Sequence, residues 1–78
     1  MELREEVIAV IAEKAGVLLD EVTPGSELED DLDLDSLDKI ELLMEFEKRY
    51  NIQTDDGEIE NLKTVADVIA IVEAKVSR

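Results

Sequence analysis

The chain has no cysteine and no histidine. Without cysteine it forms no disulfide, offers no thiolate nucleophile and builds no cysteine-type metal centre. Without histidine it lacks the commonest general base near neutral pH and the commonest metal ligand. Catalysis by this chain alone is therefore not expected, and any thiol chemistry has to arrive on a cofactor. Basic residues are scarce too: eight against twenty-two acids, a formal charge of −14. Nucleic acid and anionic membrane surfaces reward patches of lysine and arginine, so both are disfavoured as partners. A basic protein surface is the natural counterpart, approached under long-range attraction that salt weakens. No apolar run nears the roughly 20 residues of a membrane span, so no membrane insertion is expected. The opening stretch Met1-Glu2-Leu3-Arg4-Glu5-Glu6 is too acidic for a signal or transit peptide. A cytoplasmic location is the expectation. Strand alternation, internal repeats and low-complexity tracts are missing as well.

What is present is enough for one small domain spanning residues 1–78, expected to be monomeric and near the lower size limit for a core without staples. Hydrophobic residues make up 45% of the chain, which argues against disorder despite the charge. From Glu2 to Ala15, Leu3, Val7, Val10 and Ile11 recur at helical spacing, with acids in the first turn and Lys14 in the last. Gly16 is the expected stop. Residues 16–34 show no sustained period, and Thr23-Pro24-Gly25-Ser26 reads as a turn. Val17, Leu18, Leu19, Val22, Leu28, Leu32 and Leu34 are too many apolar residues for a free linker, so this long loop should lie across the helices and cover the core. It is also acidic: Glu27 to Asp38 holds seven acids and no base.

A second helix is predicted over about Ser36 to Tyr50. At roughly 100° per residue, Leu42, Leu43, Phe46 and Tyr50 share the core face. Leu37 and Met44 fall off that face, and their exposure beside acids has the pattern of a docking patch. Ile40, between the two groups, is expected to be buried. Asn51 can end this helix. Thr54, Asp55 or Asp56 can cap a short third helix through Leu62, weakened at its start by Gly57. Thr64 then caps a last helix with Asp67 three residues on, and Val65, Val68, Ile69, Val72 and Val76 make its stripe. The fold class is all-α: a small bundle of three longer helices and one short third helix, with the acidic loop between the first two.

The stretch Asp33-Leu34-Asp35-Ser36-Leu37-Asp38 marks where the loop becomes the second helix. Asp35 has the position of an N-cap and Asp38 that of its capping-box partner. Ser36 then falls in the first turn with its hydroxyl outside the helical hydrogen-bond ladder. Free N–H groups and the positive end of the dipole favour a phosphate esterified there. Spacing alone makes Ser36 a candidate attachment point and no more, since serines at helix starts are most often caps.

Asp35-Ser36-Leu37, followed by Asp38, Glu41-Leu42 and Met44, resembles the 4′-phosphopantetheine attachment site of acyl carrier proteins. The likeness continues through Gly16-Val17, Glu21-Val22-Thr23-Pro24, Ser26-x-Leu28-Glu29-Asp30-Asp31-Leu32 and Lys63-Thr64-Val65, almost the whole chain. The free-standing type of bacterial type II fatty-acid synthesis is the nearest in character, given the acidic second helix. The resemblance implies that a phosphopantetheinyl transferase modifies Ser36 with coenzyme A as donor. Acyl chains would then ride as thioesters on the arm and be delivered to basic-surfaced enzymes of fatty-acid synthesis. It implies partner recognition by Asp35, Leu37, Asp38, Glu41, Met44 and Glu47, the two aspartates also helping to place the transferase's Mg²⁺. It further implies an acyl cavity that we assign to Leu42, Leu43, Phe46, Ile59, Leu62 and Val68.

The chain departs from the family in places. Asp33 stands where a glycine is usual, Thr54-Asp55 replaces a frequent Ile-Pro pair, and Lys48 and Arg49 stand where acids are common. Phe46, often leucine, should shorten a cavity. Other cargo on the same arm (polyketide, peptidyl or D-alanyl) is the nearest alternative. A calcium-binding helix-loop-helix, suggested by Asp31-x-Asp33-x-Asp35, fails on Ser36 where glycine is needed and on Leu42 where a bidentate glutamate is needed. Only weak, non-specific divalent binding at Asp30, Asp31, Asp35 and Asp38 is expected.

Overall fold

The computed structural model describes residues 2–76. Four α-helices follow in order: α1 Leu3–Ala15, α2 Ser36–Tyr50, α3 Asp56–Glu60 and α4 Val65–Val76. A single 3₁₀ turn, Leu19–Glu21, interrupts the loop after α1 and carries no period by which the sequence could announce it.

Each helix ends where local chemistry stops it. Gly16 takes the left-handed conformation (φ 73°), and the amide of Val17 reaches back to the Ala12 carbonyl, closing α1. Asn51 does the same for α2 at φ 56°, with Ile52 N–H donating to Glu47 O. Asp55 caps α3 by accepting from Glu58 N–H, and the Glu58 carboxylate accepts from Asp55 N–H in return. This short helix stops at Glu60, two residues earlier than expected. Leu62 is nevertheless buried, in the segment that follows.

Val7 and Ile11 of α1, Leu42, Leu43 and Phe46 of α2, and Val65, Val68, Ile69 and Val72 of α4 converge on one core. Arg4 of α1 pairs with Glu73 of α4 at 3.0 Å on the surface. Tyr50 stacks on Phe46 with ring centroids 6.2 Å apart, and its hydroxyl donates to Glu6 of α1. Burial, then the hydrogen bond to Glu6, pushes the Tyr50 hydroxyl above its ordinary pKa.

The long loop is a built layer. Val22, Leu28, Leu32 and Leu34 are buried against the helices. Leu18 and Leu19 are not, remaining 69% and 58% exposed, contrary to the expectation that the loop's apolar residues would all cover the core. The 3₁₀ turn explains it: the Glu21 carboxylate accepts from Leu18 N–H, so backbone bonds hold the turn in place and no core contact is needed. Further along, the loop satisfies the start of α4, where helical N–H groups have no partner of their own. The carbonyls of Ser26 and Pro24 accept from Val65 and Ala66 N–H, and Leu28 N–H donates to Lys63 O. Glu27 and Thr64 form an isolated antiparallel bridge at this seam.

Thr64 and Asp67 complete the cap of α4. The Asp67 carboxylate accepts from Thr64 N–H at 2.9 Å and Lys63 N–H at 3.0 Å. The first of these bonds is the main reason the Asp67 carboxyl lies below its ordinary pKa. A depressed folded-state pKa adds stability that is present above the unfolded pKa and lost as pH falls through the folded one. Asp67→Asn should therefore lower the melting temperature at neutral pH by the equivalent of about 1 kcal/mol, typical for a lost cap, and the deficit should shrink as pH falls below the ordinary aspartate range. An equal deficit at all pH values would mean that the charge of Asp67 contributes nothing.

Asp33 adopts the left-handed region at φ 57°, where a Cβ crowds the backbone. The left-handed backbone here suits glycine, the residue that the family resemblance leads one to expect at this position. Asp33→Gly should raise stability by roughly 0.5–1 kcal/mol, a few degrees in melting temperature for a domain of this size. Asp33→Asn, which keeps the side-chain shape and removes the charge, separates strain from repulsion. If Gly gives no more than Asn, strain is not the cause.

Candidate functional site

The site is the N-terminal end of α2. Asp35 is its N-cap: the carboxylate accepts from Asp38 N–H at 2.9 Å, and Asp38 accepts from Asp35 N–H at 3.1 Å. Neither bond uses the Ser36 hydroxyl. Ser36 is the first helical residue and is exposed. The amides of Ser36 and Leu37, in the first turn, have no acceptor four residues back, and the helix dipole adds partial positive charge there.

Beside Ser36, a groove of about 470 Å³ runs between α2 and α3. Ser36, Lys39, Ile40 and Ile59 line it, with Glu29, Asp56 and Glu60 along it as acids. An exposed hydroxyl at a helix start, opening onto a groove with an apolar strip, fits a phosphate ester that continues into a long flexible arm.

Leu37 and Met44 are exposed, at 61% and 52%, on the flank of α2. Ile40 is exposed as well, at 39%, where burial was expected. The cause is α3: with five residues it is too short to cover Ile40, which faces the groove instead. Lys39 is buried in its place. Its residue is only 6% accessible, and its ammonium lies 2.6 Å from the Glu29 carboxylate. Lys39 stands three and four residues before Leu42 and Leu43, so helical spacing puts it on the core face. That spacing was legible in the sequence, but a lysine does not register in a search for apolar periodicity.

The other acids of α2 are engaged. Glu41 pairs with Lys14 of α1, and the hydrogen bond between them is the main reason the Lys14 pKa is raised. Glu47 accepts from both the N–H and the Oγ1 of Thr54, tying the end of α2 to the approach of α3. Glu45 pairs with Arg49 one turn on. In the loop, Asp31 caps the Glu27 amide. No group of three or more acids among the described residues, Asp30, Asp31, Asp35 and Asp38 included, is placed to hold a metal ion. Of the residues assigned to an acyl cavity, Leu42, Leu43, Phe46, Leu62 and Val68 are closed in the core at 3% exposure or less. Ile59 alone lines the groove beside Ser36.

Residues 5–72 match the family described as the phosphopantetheine attachment site. The acyl carrier protein of Helicobacter hepaticus is 45% identical over 74 residues, covering 95% of this chain and 97% of that protein. The acyl carrier protein of Thermotoga maritima is 39% identical over 74 residues, covering 95% and 91%. That of Akkermansia muciniphila is 42% identical over 71 residues, covering 91% and 89%. Among solved structures, a crystal structure of an acyl carrier protein from Thermotoga maritima superposes with a TM-score of 0.80 at 28% identity, over 97% of this chain and 94% of that one. The chain belongs to the phosphopantetheine-attachment family, within it to the acyl carrier proteins. It is a helical-bundle carrier whose cofactor is 4′-phosphopantetheine, and it is not itself an enzyme.

Proposed function

We propose that Ser36 carries the arm and that the protein conveys growing acyl chains among the enzymes of fatty-acid synthesis in the cytoplasm, as a single monomeric domain. The observation that supports this most is the Ser36 hydroxyl, exposed at the first position of α2 and left free by the Asp35–Asp38 capping pair. Asp35 and Asp38 hold the helix start in place and present charge around it. Leu37, Ile40 and Met44 offer an apolar strip on the same helix, beside Glu41, Glu45 and Glu47. An apolar strip rimmed by acids suits a partner with a complementary basic surface, beginning with a phosphopantetheinyl transferase.

The cargo needs shelter, and the helix that can yield is α3. None of its five residues is fully buried. It is held by Lys75 of α4, 3.1 Å from Glu58, and by Glu47 through Thr54. An acyl chain entering past Ile40 and Ile59 would part α3 from α2 to reach Phe46, Leu62 and Val68. Each methylene buried there contributes about 0.8 kcal/mol, less what the parted helices lose. The test of the function is the intact mass of the protein isolated from its own cells. A mass corresponding to phosphopantetheine with saturated or 3-oxygenated acyl groups is expected. An aminoacyl or peptidyl mass would reassign the cargo and leave the arm.

A further inference from the structure

We propose that Lys39 is a positioning residue for the arm: it leaves Glu29 and takes an oxygen of the phosphodiester on Ser36. This rests on Ser36 being the attachment site. Lys39 is the one cation lining the groove beside Ser36, among the acids Glu29, Asp56 and Glu60. Ser36 and Lys39 are three residues apart on α2, so their side chains rise from neighbouring points on one face. A phosphodiester on Ser36 adds negative charge beside Asp35 and Asp38, which the free amides and dipole of α2 offset in part and a nearby ammonium offsets further.

The pair is unequal in a way that sets which partner gives way. The Lys39 side chain is 8% exposed and that of Glu29 is 61% exposed. A buried ammonium cannot go unpaired without a large penalty, whereas an exposed carboxylate released into water is solvated at once. Lys39 therefore keeps a partner at all times, and Glu29 is the partner that can be exchanged. Because Glu29 belongs to the long loop, attachment of the arm also frees the loop from α2 at this point. The loading state of Ser36 thus becomes readable in the loop.

The experiment compares thermal unfolding of the apo and holo proteins, with Glu29→Gln and Lys39→Met in each, holo forms being made with coenzyme A, Mg²⁺ and a phosphopantetheinyl transferase. In the apo protein Glu29→Gln strands Lys39, and the melting temperature should fall by on the order of 5 °C. In the holo protein the same substitution should cost at most a third of that. In the ³¹P spectrum of the holo protein, Lys39→Met should move the phosphodiester resonance while Glu29→Gln leaves it in place. A lysine with a purely structural role would not move that resonance. An equal loss from Glu29→Gln in both forms overturns the exchange, even if Lys39→Met proves too unstable to study. Failure of the wild-type mass to rise by one phosphopantetheine is a separate outcome, and it removes the attachment reading together with this inference.

Discussion

Ser36→Ala is expected to abolish loading completely. Incubated with coenzyme A, Mg²⁺ and a phosphopantetheinyl transferase, the parent should gain one phosphopantetheine and the variant none. The effect is all-or-none because the bond to be formed is to the serine oxygen, and alanine has no atom to replace it. The fold should be unaffected. Ser36 is exposed, its hydroxyl takes no part in the capping bonds, and alanine is the best helix former at an exposed first-turn position. The variant should therefore melt within a degree or two of the apo parent, about what an exposed substitution away from packing produces. Ser26 is the informative control. It is buried, and its hydroxyl accepts from Thr23 N–H, so it holds the turn that caps α4 and is shut away from a transferase. Ser77 lies outside the described residues. Loading of Ser36→Ala at either serine would overturn the site assignment.

Phe46→Ala is expected to remove a large share of the chain's stability. Phe46 has no accessible surface and is the largest side chain so enclosed. It is part of the one core shared by α1, α2, α4 and the loop and is stacked on Tyr50, so its removal opens a void there. Large-to-small changes of this kind cost about 3–5 kcal/mol. A domain of this length has a total stability of roughly 4–12 kcal/mol. A 78-residue core has few other side chains to collapse into the space. Phe46→Leu should cost much less because most of the volume remains. The check is denaturant unfolding of the three proteins in their apo forms. A loss below about 1 kcal/mol for alanine would mean that the core around residue 46 repacks freely. That result would also bear on the cargo, since a core that yields there yields to an acyl chain. If it does not, the route past Ile59 depends on α3 alone.

Most of the helix boundaries, and the place of Ser36 at the start of α2, were set by local chemistry, and the sequence by itself determined them. Gly16 and Asn51 stop their helices because they enter the left-handed region with least cost. Asp35–Asp38, Asp55–Glu58 and Thr64–Asp67 start theirs because short polar side chains three residues apart satisfy each other's amides. The period of Leu42, Leu43 and Phe46 was sufficient to orient α2. Ser36 was legible as a candidate because cap, hydroxyl and flanking acids are contiguous, and the likeness to acyl carrier proteins along almost the whole chain is what pointed to attachment there. Only the tertiary structure decided the rest. Whether Ile40 is covered depends on how far α3 reaches across α2, a distance that no residue near Ile40 encodes. Glu47 and Glu41 look alike on the helix surface, yet one is drawn to Thr54 and the other to Lys14 by the elements that pack beside them. Lys39 is buried because the loop brings Glu29 within 2.6 Å, from ten residues away in the chain. A charge can enter a core only when its partner arrives with it, and the arrival of a partner is a property of the fold.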